Sequence, residues 1–414
     1  MSIKIIKNGL LIDGNGREPL RDQIVVVEGM KILYKGPESG YETKGSEEII
    51  DAQGGTILPG LIDTHVHMMM EYHPVAQKLE TPFSYMYYKG AEYLKTTLNA
   101  GITSVRDALG TDRGVKKAVD DGLIPGPRLQ LSINALTTTG GHGDGYTVSG
   151  NVVDLLPNGY PGMPNGICDG VEEVRKKTRE MLRAGAEVIK VHATGGVLSA
   201  TDHPEFTQFS LEELKVIVEE GKYRKGVKVM AHAQGAEGIK NAVRAGVHSI
   251  EHGIFIDDEA IELMLENGTY LVPTLLAPVA VLETAKDVGM PDSAVEQSRE
   301  VIEYHKASFT KAYQAGVKIA MGTDAGVMKH GTNLRELGLM AEAGMSPMET
   351  IVASTKTAAE CLGWEDKLGT IEEGKLADLI IVKGNPLEDI YSLADHDTIQ
   401  VVIKDGKVEK NLIG

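Results

Sequence analysis

Eight short apolar runs, each of strand length and each followed by a stretch of helical periodicity, fill the middle of the chain. They are Ile57–Ile62, Ile102–Asp107, Arg128–Leu136, Val188–Ala193, Val227–His232, Ser249–His252, Tyr270–Leu275 and Ile319–Thr323. Strands separated by helices pair in parallel, because the crossover returns the chain to the same end of the sheet. The joints agree: "NAGITSV", "RAGAEVIK", "RAGVHSIE" and "QAGVKIAM" each put a glycine where a helix needs a C-cap before the next strand. One helix is expected over Ser210–Gly226, with Ser210 as N-cap and Glu213 at the capping-box position. Eight such units, with no Gly-rich phosphate loop after the first, predict an α/β fold of the closed (β/α)8 TIM-barrel type rather than a doubly wound sheet.

The ends read differently. Residues 3–57 are β-like runs broken by Asp13-Gly14, Glu28-Gly29 and Gln53-Gly54-Gly55, and the far end repeats the pattern in Leu379–Val382 and Gln400–Ile403 with a turn at Asp405-Gly406. Neither end is long enough for a core of its own. Together they are expected to form one small β-sandwich, residues 1–57 and 365–414, beside a barrel over 58–364. The 414 residues suit a barrel plus such a domain.

The 59 acidic against 42 basic residues give a net charge of −17, which argues against a nucleic-acid or membrane-surface partner. Two cysteines, Cys168 and Cys361, are too few for a disulfide framework and point to a reducing compartment. With no leader-like apolar run and no stretch near 20 apolar residues, the expected location is the cytoplasm, away from any membrane.

Barrel enzymes carry their chemistry at the C-terminal ends of strands. After the first run comes Asp63-Thr64-His65-Val66-His67; residues two apart in a strand share a face, so His65 and His67 suit one metal ion. The fourth run contains Lys190, costly inside an apolar strand unless it is paired, for instance with Asp324, or carboxylated to a carbamate that bridges two cations. The fifth and sixth end in His232 and His252, and the eighth in Asp324, which would otherwise be a helix N-cap. Four imidazoles, a lysine and a carboxylate suit two divalent ions, zinc first, and the joint pattern is far more specific than any member.

This pattern resembles the amidohydrolase superfamily over essentially the whole chain, "PGLIDTHVH" and "GTIEEGKLADLIIVKGNPLEDI" included. Within it, "TTTGGHGD" at 137–144, "KVHATGGVLSATDHPEFTQFSLEEL" at 190–214 and "GTDAGVMKHGTN" at 322–333 resemble the prolidase-like and imidazolonepropionase-like branch. The resemblance implies a homo-oligomer with N6-carboxylated Lys190, acting on a small amide such as a dipeptide or N-acyl amino acid and releasing its C-terminal residue. A metal-bound hydroxide would attack, Asp324 would carry the proton to the leaving amine, and His142 would stabilise the oxyanion, with His203 and His330 as lesser substrate contacts. Gln234 stands where relatives carry an aromatic hydroxyl that binds a substrate carboxylate, and His192 where an apolar residue is more usual. His73, His248, His305 and His396 read as structural or solvated, and Tyr72, Tyr85, Tyr87 and Tyr88 as pocket or subunit interface. The alternatives are a hydrolase of non-peptide or cyclic amides, including xenobiotic amides with an amino-acid leaving group, and a metal-binding barrel without turnover. Asp324 argues against the last, since binding needs no proton shuttle.

Overall fold

The computed structural model describes residues 3–73, 75–147, 149–153, 160–197, 202–290 and 292–414. Residues 198–201 of the motif at 190–214 lie outside the described residues.

The middle of the chain is mixed α/β with parallel sheets. Leu61–Val66, Ile102–Asp107 and Arg128–Leu131 form one parallel sheet; Ala135–Leu136, Val188–His192, Lys228–Ala233, Ser249–His252 and Tyr270–Val272 form another. The register of the second sets His192 beside His232 and Ala233 beside His252. The expected third strand breaks in two where Ile133 takes φ +71, and its halves belong to different sheets. Ile319–Thr323 makes no regular strand. It still runs between the first and seventh: Ala320 donates to the Leu271 carbonyl at 3.0 Å and Thr64 to the Met321 carbonyl at 2.9 Å, with single bridges from Leu271 to Ile319 and from Val66 to Ala325.

The helices follow their signals. Ser210 and Glu213 form a capping box at the head of Leu211–Tyr223, and Gly185 and Gly246 end Val171–Ala184 and Ala236–Ala245 in the left-handed conformation that glycine takes without penalty. Strand and helix faces meet in one large apolar core that includes Leu131, Val191, Ala231, Ile250 and Ile217. After Tyr270–Val272 the chain makes two packed helices, Leu276–Val288 and Asp292–Ala315, before it returns at 319.

The expected first strand, Ile57–Ile62, is two strands. Thr56–Pro59 pairs antiparallel with Leu379–Val382 in a five-stranded terminal sheet, and Leu61–Val66 starts the parallel one. Gly60 is the joint, and a Cβ there would lie 2.2 Å from the Thr103 hydroxyl, so no larger residue fits. A four-stranded sheet holds Ile3–Lys7, Gln23–Glu28, Lys31–Pro37 and Glu48–Asp51. Ile6, Val25 and Ile32 of that sheet share an apolar cluster with Ile57, Leu379, Ile381 and Val401 of the other, so both chain ends contribute to one core.

Candidate metal centre and its pocket

His65 and His67 leave the first strand on one side, as their spacing of two requires. Both aim Nε2 at Asp324, whose Oδ1 lies 3.3 Å and 2.9 Å away. One ligand atom from each of these three buried residues falls within a 4.8 Å cluster. The other nitrogens are committed. His65 Nδ1 donates to Glu251 Oε2 at 2.8 Å and His67 Nδ1 to the Leu109 carbonyl at 3.2 Å, which leaves both Nε2 atoms as acceptors free for a cation.

The second pair lies against the first. The His252 ring centroid is 5.0 Å from that of His65 and 4.6 Å from that of His232. His252 Nδ1 meets the Thr274 hydroxyl at 2.7 Å, and His232 Nε2 donates to the Gly195 carbonyl at 2.9 Å. Burial, the largest effect, holds His192, His232 and His252 well below the usual imidazole range, so their rings are neutral. Asp324 goes the other way: burial would raise its carboxyl, but the His65 and His67 imidazoles beside it outweigh that and hold it well below the usual range. His252 and Asp324 sit at φ +74 and +67, a conformation that costs a non-glycine residue roughly 1–3 kcal/mol and is typical of residues held for function.

Lys190 is buried, with Nζ 3.4 Å from His65 Nε2. Among the described residues no carboxylate lies within ion-pair distance of it; Glu251 and Asp324 act only from farther away, and burial brings the amine down to about 8. A pairing of Lys190 with Asp324 is therefore not formed.

Two buried acids hold this cluster together. Glu251 accepts from His65 and, at 3.0 and 3.2 Å, from Arg106, whose Nε donates to the Thr64 carbonyl at 2.7 Å. Asp63 accepts from the His65 amide at 3.0 Å, the Thr323 hydroxyl at 2.6 Å and the Asn333 amide at 2.8 Å, tying the first strand to the segment that carries Asp324. The sequence reading missed Glu251 and Arg106. Their one signal was a charge inside an apolar strand, "SIEHG" and "SVRDA", the argument that singled out Lys190.

His142 stacks on His232 at 4.3 Å, on the rim of the cluster. Its Nδ1 is 3.5 Å from Asp202, a buried carboxylate that also accepts from the Gly196 amide and from Gln208, while the Gln208 carbonyl oxygen accepts the His142 amide at 3.2 Å. A pocket opens beside it, lined by His142, His232, Gln234, His252, Thr274 and Asp324 on the barrel side and by apolar Val197, Ile254, Pro278, Val281 and Val327. Gln234 leaves its Oε1 buried without a partner there.

His203 and His330 are not among the described lining residues. His203 is 43 % exposed at its side chain, 5.5 Å from the Phe206 ring, and His330 anchors a loop by donating to the Met70 carbonyl at 2.8 Å while stacking on Tyr93. His305, read as structural, does line the pocket, because the long helix after the seventh strand folds over the strand ends. His248 and His396 donate to the Cys361 and Gly331 carbonyls, and His73 lies 3.8 Å from Glu71. Tyr87 and Tyr160 both pack on Phe83, whereas Tyr85 and Tyr88 are exposed.

The amidohydrolase family model matches residues 56–408. The chain belongs to this family. It is 37 % identical to ochratoxinase from Aspergillus niger over 99 % of its own length and 87 % of that protein's. A crystal structure of a Xaa-Pro dipeptidase with methionine bound in its active site superposes with a TM-score of 0.88 at 39 % identity, covering 98 % of this chain and 99 % of that one. A prolidase complexed with N-methylphosphonate-L-proline gives 0.91 at 34 % identity, over 99 % and 100 %. This amidohydrolase is thus a hydrolase of carbon–nitrogen amide bonds on a TIM-barrel-type α/β fold, with a small-molecule substrate. No helix among the described residues is long and apolar enough to cross a membrane.

Proposed function

We propose that this amidohydrolase is a binuclear metal enzyme that cleaves the amide of dipeptides or N-acyl amino acids and releases the C-terminal residue. The observation that carries the metal part is the convergence of His65 Nε2, His67 Nε2 and Asp324 Oδ1, with both imidazoles turned by bonds at their other nitrogens. In this reading those three hold one divalent ion, zinc by donor type, and His232 and His252 hold the second. Lys190, if carboxylated, would be a further ligand; its amine is buried beside His65, with no carboxylate among the described residues within ion-pair distance. When bound, such ions polarise a carbonyl and make water acidic enough to ionise near neutral pH.

The chain's own residues divide the remaining work. Asp324 takes a proton at a carboxylate oxygen and returns it to the leaving amine, a role worth roughly 10²–10⁴ in rate. His142, whose Nδ1 lies 3.5 Å from Asp202, donates to the scissile carbonyl oxygen. The substrate class is supported by a Xaa-Pro dipeptidase and a prolidase bound to a proline phosphonate among the relatives. In the same reading the parallel sheets close through residues 319–325 into a (β/α)8 barrel over 58–364, and the two terminal sheets, 1–57 and 365–414, form a β-sandwich.

One observation favours a second reading, a non-peptide or xenobiotic amide. The described pocket lining contains no lysine or arginine to meet a substrate carboxylate, and ochratoxinase is as near in sequence as the peptidases. Metal analysis of the purified chain, with hydrolysis of a dipeptide and N-acyl-amino-acid library before and after chelation, separates these. About two zinc ions and chelator-sensitive release of a C-terminal residue support the first; two ions with no turnover move the choice to the second. Activity indifferent to chelation in a protein that takes up no metal sinks both.

A further inference from the structure

The pocket wall formed by helix Asp292–Ala315 plays no part in the chemistry above. Ser298, Val301 and His305 follow one another at intervals of three and four, the spacing of one helical stripe. Ser298 and His305 line the pocket, and Val301 packs with Val197 and Ile254 beside it. Ser298 is fully buried, yet its hydroxyl has no hydrogen-bond partner. His305 is 2 % exposed, and its Nε2 lies 2.9 Å from the His252 carbonyl. A carbonyl can only accept, so the 2.9 Å bond puts the ring proton on Nε2, with the Pro273 carbonyl a second acceptor near the ring, and Nδ1 of the neutral ring keeps its lone pair. That Nδ1 is also buried without a partner. Two orphaned polar groups on one buried stripe call for an explanation, and a ligand that fills them is one. At 1.5 Å rise per residue they stand about 10 Å apart, His305 next to the metal-ligand strand and Ser298 farther out, with apolar Val301 between.

We propose that Ser298 and His305 are specificity-determining residues, and that the pocket takes a neutral, largely apolar substrate side chain that bears a hydroxyl. The hydroxyl gives its hydrogen to the His305 nitrogen or exchanges a bond with Ser298. A carboxylate side chain is excluded, because the described lining offers it a lone pair and Asp324 but no lysine or arginine. The inference rests on the amide-hydrolase reading of the site.

The test uses zinc-loaded full-length protein, wild type, Ser298→Ala and His305→Gln, with dipeptides paired as threonine against valine and tyrosine against phenylalanine at each position. Affinity for the free amino acids is measured in parallel by calorimetry. Ser298→Ala removes no hydrogen bond seen in the fold, so it keeps the test sound if His305→Gln folds poorly. In the wild type the hydroxylated member of a pair is expected to win by at least about tenfold in kcat/KM, since a site built around a substrate hydroxyl rejects the analogue that lacks it. Either variant brings the ratio towards one. A wild-type ratio near one at both positions, or a ratio that neither variant alters, overturns the inference. If no dipeptide is cleaved but the hydroxylated amino acids bind more tightly, and Ser298→Ala abolishes that difference, the dipeptide reading of the substrate fails while this inference stands. Equal binding within every pair, without turnover, overturns this one.

Discussion

His65 gives its Nδ1 proton to Glu251 at 2.8 Å, and Glu251 is paired on its other side with Arg106, so one buried carboxylate sets the tautomer of a ligand and neutralises a buried guanidinium. Burial would push the Glu251 carboxyl up; the Arg106 charge and the His65 bond outweigh it and bring it down to about 2. Glu251→Gln keeps the shape and loses the charge. Breaking a buried pair costs about 3–5 kcal/mol, and loss of the partner behind a metal histidine costs about 10–100-fold in affinity. A urea melt and a zinc titration of the variant should show both losses. Unchanged zinc affinity would separate Glu251 from the metal centre.

Gly196 passes directly under His142. A Cβ there would lie 2.2 Å from the imidazole Cε1, so Gly196→Ala must displace the ring or the loop. The variant is expected to melt within a few degrees of wild type and to lose about tenfold or more in kcat, because a misplacement near 1 Å is enough to spoil an aligned donor. Full kcat in a folded variant would mean that His142 does not need its present position.

Asp202 lies 3.5 Å from His142 Nδ1 and has no part in the pocket lining. In the proposed mechanism it would act as a positioning residue. His142→Ala is expected to lower kcat by about 10²–10³, the usual effect of losing an oxyanion donor, and Asp202→Asn by less. The double variant should be no worse than His142→Ala alone. If the two losses multiply, Asp202 acts through some other group.

The candidate ligands were legible because continuous apolar runs and helix–glycine–strand joints locate the strands of a parallel sheet, and the period of two puts His65 and His67 on one face. His232 and His252 end their predicted strands, whereas His65 and His67 lie beyond the predicted end at Ile62, because the observed strand runs on from Leu61 to Val66. Asp324 was placed from a strand that the chain does not regularly form, yet two backbone bonds to the first and seventh strands hold it as that strand would. What stayed hidden depends on long-range contacts. Arg106 and Glu251 are 145 residues apart and explain each other only when both are seen. His305 looked like any helical histidine, because nothing in Asp292–Ala315 says which surface that helix covers. The split at Gly60 was hidden for a similar reason: both halves are apolar, and only pairing with Leu379–Val382 assigns the first to another sheet.

Glu336 provides a pH-dependent prediction away from the metal cluster. Its carboxylate accepts the amides of Leu275 and Leu276 at 2.8 and 2.7 Å, at the head of the helix that brings Ala277, Pro278 and Val281 to the pocket. Complete burial is the largest effect on it and outweighs both amide bonds, raising the carboxyl from 4.5 to about 8. A folded-state value above the unfolded one means that the protonated form is favoured by folding. The associated stability is fully present below pH 4.5 and is lost as pH rises through 8. Glu336→Gln is fixed in the neutral form, so urea melts from pH 4.5 to 9 should show a flatter alkaline decline than wild type, whatever constant offset the amide adds. Parallel curves for the two proteins would show that Glu336 stays ionised in its buried place, held by the two amides alone.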